Sequence, residues 1–72
     1  MRMENEQNWI FTFKYGHHLE DRYIKLYGTF SETRRIMNDR FKDSWSYQLP
    51  EKEEQQVKRD FKKEISMDEA LR

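Results

Sequence analysis

Adjacent imidazoles at His17 and His18, followed by carboxylates at Glu20 and Asp21, form the cluster in this chain best suited to a divalent metal. Spacing argues against that chemistry. Neighbouring histidines rarely aim at one ion, and no second cluster completes a coordination sphere. A solvated hairpin loop explains these residues better, and a pH-sensitive contact comes next, because an ordinary imidazole titrates near neutral pH. The hydroxyls of Ser31, Ser44, Ser46, Ser66 and the three threonines sit in no nucleophile-elbow context. Thr29, Ser31 and Ser66 instead suit helix starts. Paired carboxylates occur only as sequence neighbours or in exposed helical turns, where they stay ionised. Both glycines, Gly16 and Gly28, fall where turns are expected, so neither builds a phosphate cradle. So short a chain leaves little room for a catalytic pocket of ordinary size. The expectation is a non-enzymatic protein with no cofactor and no metal.

Binding is the remaining chemistry. Tyr23, Lys25 and Tyr27 alternate with Ile24 and Leu26, and Lys14 ends another aromatic-rich stretch. Tyrosines interleaved with lysines on an open sheet face resemble the stacking platforms of single-strand nucleic-acid binders. Against this, fourteen basic and fourteen acidic residues cancel, leaving no overall field to draw in a polyanion. Arg34, Arg35, Arg40 and Lys42 are basic, yet Glu32, Asp39 and Asp43 are interspersed, which reads as a mixed solvated face. A protein-binding surface fits better, because tyrosine and arginine are favoured anchors at such surfaces. The expected partner-binding residues are Lys14, Tyr23, Lys25 and Tyr27 on the sheet, with Arg34 and Arg35 on a helix.

These residues need a scaffold, and its centre is Trp9-Ile10-Phe11-Thr12-Phe13-Lys14-Tyr15. Period-two alternation puts Trp9, Phe11, Phe13 and Tyr15 on one face and Ile10, Thr12 and Lys14 on the other. The polar residues Met1 to Asn8 read as a frayed lead-in. After a loop containing Gly16, a second strand is expected over Arg22 to Tyr27, ended by Gly28. Thr29-Phe30-Ser31-Glu32 matches a capping box and opens a helix from about Phe30 to Lys42. Its inward stripe is Phe30, Thr33, Ile36, Met37 and Phe41.

Trp45 to Leu49 alternates and predicts a third strand, with Trp45, Tyr47 and Leu49 on one face and Ser44, Ser46 and Gln48 on the open one. Pro50 stops it and suits the start of a second helix. That helix carries a thin stripe of Val57, Phe61 and Ile65, enough to lie along a surface but not to enter a core, or to pair with its copy in a homodimer. Ser66-Met67-Asp68-Glu69 is a second capping box, so residues 67–72 either start a further turn or fray. Direction then fixes the cheapest topology. One α+β domain is expected over residues 1–72: a three-stranded antiparallel sheet of order 2-1-3, one helix between strands two and three, and a C-terminal helix. If the first helix covers Trp9, Phe11 and Phe13, the tyrosine and lysine face stays open.

Composition bounds the setting. Leu, Ile, Val and Phe are only fourteen of 72 residues, the edge of the disordered range, but aromatics are 15% and the net charge is zero, so a small core of large rings is expected. Absence of cysteine fits a reducing cytosol. No apolar run is long enough for a spanning helix, and nothing suggests a membrane partner.

From Trp9 to Gln48 the chain resembles a family of short uncharacterised proteins from phages and prophages of Gram-positive bacteria. The residues carrying the resemblance are Trp9, Phe11-Thr12-Phe13, Gly16, Tyr23, Gly28-Thr29-Phe30, Glu32, Arg34, Met37, Phe41, Trp45 and Gln48. Departures are Lys14 for glycine, Thr33 for alanine and Lys42 for glycine. The resemblance implies a phage-type protein without known chemistry, and by analogy with small proteins of that origin, which often bind and block a host factor, a host protein in the bacterial cytoplasm is the expected partner. An anti-CRISPR-like inhibitor of a defence or nucleic-acid-processing enzyme is the expectation. Single-stranded nucleic-acid binding through the tyrosine and lysine face is the alternative.

Overall fold

The aromatic strand lies where its alternation demands, with neighbours on both edges. The computed structural model describes residues 6–61 and 63–72, so residues 1–5 of the expected lead-in, and Lys62, lie outside the described residues. Strand β1 (Gln7–Phe13) begins one residue before the end of that lead-in and pairs antiparallel with β2 (Arg22–Gly28) and β3 (Trp45–Pro50). Helix α1 (Phe30–Phe41) starts on the expected box, with Thr29 Oγ1 accepting from the Glu32 amide and the Thr29 amide donating to Glu32 Oε1. It ends where Lys42 turns to φ 57°. Beneath it lies the larger core of Phe11, Phe13, Ile24, Met37, Phe41 and Trp45. Edge-to-face ring pairs hold this core: Phe11 with Trp45 at 5.3 Å and Phe13 with Phe41 at 5.1 Å.

The expected order of three strands is present, but the sheet has a fourth member and is mixed, β3-β1-β2-β4. Helix two does not run from Pro50 through Ile65. A 3-10 turn (Glu51–Glu53) leads into α2 (Glu54–Asp60), which stops as Phe61 becomes extended. Lys63–Glu64 forms β4, parallel to β2, and the Ile65 amide donates to the Tyr23 carbonyl at 2.9 Å. Pairing satisfies backbone groups that the start of β2 would otherwise present as a bare edge. It also divides the helical stripe. Val57 and Phe61 stay on one side of the sheet, while Ile65 rounds the edge into the α1 core and is buried. Burial of an isoleucine outweighs one more exposed helical turn, because it is worth about 1.5–3 kcal/mol. Residues Met67–Ala70 form a capped turn, α3, on Ser66 and bury Ala70, where fraying had been the other expectation.

Face assignments along β3 also change. Gln48 stands opposite Phe11 and Trp45 opposite Phe13, a spacing of three against two, so β3 carries a bulge. Trp45 and Gln48 therefore both face α1, while Leu49, opposite Ile10, lies on the other side. Each large group finds a partner this way. Trp45 Nε1 donates to Asn38 Oδ1 at 2.9 Å, and Gln48 Nε2 donates to the Phe30 carbonyl and to Thr33 Oγ1. Thr33, fully buried, donates in turn to the Thr29 carbonyl at 2.9 Å.

Candidate binding surface

Tyr23, Lys25 and Tyr27 share the face of β2 opposite α1, as alternation predicts, but that face is not open. Helix α2 lies across it and packs Val57 against Ile10 and Tyr23, with Leu49 and Phe61 at the margin. Tyr23 is only 3% exposed, and burial raises its phenol above the ordinary value. It is a core residue, so the expectation that its ring lies on an open face is corrected. Lys25 is partly buried and donates to Glu54 Oε2 of α2 at 3.0 Å, a bond that raises its ammonium above the usual lysine range. The thin stripe enters a core after all, because Val57 is 2% exposed.

The other expected residues do not converge. Tyr27 is 68% exposed, opposite Asn8 at one end of the sheet. Lys14 is exposed at the opposite end of β1. Arg34 lies on α1 over the rings of Trp45 and Phe30, at 5.1 and 5.5 Å, and donates to Gln48 Oε1 at 3.3 Å. Its guanidinium is thus occupied within the fold. Arg35, exposed, borders a shallow depression with Ile36, which is 41% exposed instead of facing inward. The six residues form no common surface. A nucleic-acid platform built on Tyr23 and Lys25 lacks its geometric premise, since one ring is buried and the neighbouring cation is paired.

The hairpin loop behaves as a loop. His17 stacks on Phe13 at 5.3 Å and on His18 at 4.5 Å, and its Nδ1 accepts from the Leu19 amide. Burial, with the neighbouring His18, lowers its pKa. Among the described residues no group of three histidine or carboxylate side chains could hold a metal.

A different surface emerges where α2 leaves the sheet uncovered. Beside β3 runs a trough in two connected parts of about 340 and 460 Å³, both bordered by Thr12, Tyr47, Asp60 and Phe61. Leu49 and Val57 floor one part; Tyr15 and the carboxylates Glu20 and Asp21 bound the other. Tyr47 and Tyr15 are 66% and 97% exposed. Comparison with protein-family models, curated proteins and solved structures finds no match. Sequence reasoning placed Tyr47 and Leu49 with Trp45, because strict alternation continues through a bulge it cannot see. Phe61 was assigned to a helix that ends before it. The signals that could have found the trough were Pro50, which forces the chain off β3, and the density of Tyr47, Leu49 and Phe61 in an otherwise polar segment.

Among the described residues no helix is long and apolar enough to cross a membrane.

Proposed function

We propose that this chain is a non-enzymatic binding protein that acts by occupying a surface of a host protein. The phage and prophage resemblance carried by Trp9 to Gln48 directs that reading toward a bacterial defence or nucleic-acid-processing enzyme, in the manner of an anti-CRISPR inhibitor acting in the host cytoplasm. The single observation supporting a binding role is the trough beside β3, where exposed Tyr47 adjoins half-buried Leu49 and Phe61. A tyrosine left largely in water beside apolar side chains is the arrangement that anchors interfaces.

The test is inhibition in a purified system. The protein is titrated into a panel of bacterial CRISPR nucleases and restriction enzymes, with cleavage as readout and gel filtration to detect a complex. The expected outcome is stoichiometric loss of one activity with co-elution of the two proteins. Full cleavage by every enzyme at a large excess of this protein, with no shared peak, sinks the inhibitor reading. Loss of cleavage without co-elution, reversed by added oligonucleotide, assigns the effect to nucleic acid instead.

A further inference from the structure

We infer that the trough between β3 and α2 takes an extended segment of a partner protein in which a lysine or arginine adjoins a large apolar side chain. This rests on the binding role proposed above and names the chemistry of the partner. The trough is apolar along Leu49, Val57 and Phe61, and an extended chain lying there places one side chain over Tyr47. Among the described residues its charged border has one sign: Asp60, Glu20 and Asp21 line it, and no lysine or arginine does.

Asp60 is the most informative of the three. Asp21 pairs with Arg22 and Glu20 accepts from the Gly16 amide, whereas the Asp60 side chain has no hydrogen bond or ion pair among the described residues. It is also the last residue of α2, beside the carbonyl end of the helix, where an anion opposes the dipole and a cation is favoured. The position is unfavourable for the fold alone and favourable for a guest ammonium or guanidinium. The same charges repel a phosphate backbone.

The probe is a fluorescein-labelled peptide, Gly-Lys-Leu-Lys-Phe-Lys-Leu-Gly, titrated into the full chain with anisotropy and amide NMR shifts as readouts. Two control peptides replace lysine by glutamate, or leucine and phenylalanine by serine. Saturable binding by the first peptide alone is expected, with shifts at Thr12, Tyr47, Asp60 and Phe61 and weakening as salt is raised. Asp60→Asn should weaken it roughly two- to fivefold, in line with loss of one exposed charge pair. Tyr47→Ala should weaken it by at least about fivefold as loss of an aromatic anchor, while Arg35→Ala on α1 changes nothing. Thermal melts verify folding, and Asp60→Asn alone decides if Tyr47→Ala does not fold.

Equal binding of all three peptides, shifts on the α1 side, or an affinity untouched by Asp60→Asn overturns the assignment. So does concentration-dependent dimerisation that shifts the trough resonances without peptide, or oligothymidylate that shifts them. The two proposals fail separately. A host-enzyme complex indifferent to Asp60→Asn removes the trough and leaves the inhibitor, whereas peptide binding without inhibition of any enzyme leaves the trough and removes the inhibitor.

Discussion

Lys42 holds φ 57° with ψ −119°, closing α1 by donating its amide to the Asn38 carbonyl at 3.0 Å. A side chain is strained there. Lys42→Gly should therefore raise stability by about 1 kcal/mol, read as an increase of about 4–8 °C in Tm. Gly28 shows the converse, with φ 151° and an added Cβ meeting the Thr33 methyl at 3.2 Å. Gly28→Ala should destabilise by about 1–3 kcal/mol in chemical denaturation. His17 supplies a pH dependence. Because its folded pKa lies below the unfolded value of 6.5, the unfolded chain binds more protons in that interval. Its contribution is fully present above pH 6.5 and is lost as pH falls through the lowered value. His17→Phe should flatten the fall in denaturation midpoint measured below pH 6.5.

Elements with strong local signals were the legible ones. Alternation marked β1 and β2, and two capping boxes marked the starts of α1 and α3, because each is written in neighbouring residues. The bulge in β3 and the two-residue β4 were not legible. Both are chosen by distant partners: Thr33 and Asn38 for the first, the bare start of β2 for the second. The site suffered for the same reason, since the occupant of the Tyr23 face depended on where the second helix ended. Two consequences follow at this scale. Replacing Ile65 by alanine should cost about 2–4 kcal/mol, much more than an exposed stripe residue on a free helix, and equilibrium unfolding measures it. Between α2 and β2, a double-mutant cycle on Lys25 and Glu54 should return a coupling of about 1 kcal/mol, larger than for a fully exposed pair because both side chains are about 20% exposed.

At the scale of the molecule, α2 crosses one face of the sheet, β4 pairs at its β2 edge, and Ile65 and Ala70 pack under the other face. Phe11 contributes to the core below α1 and Ile10 to the core below α2, so one strand roots both. Loosening that strand on either side loosens both layers together, so the molecule should melt in one cooperative step with no half-unfolded species, seen as coincident near- and far-ultraviolet dichroism curves.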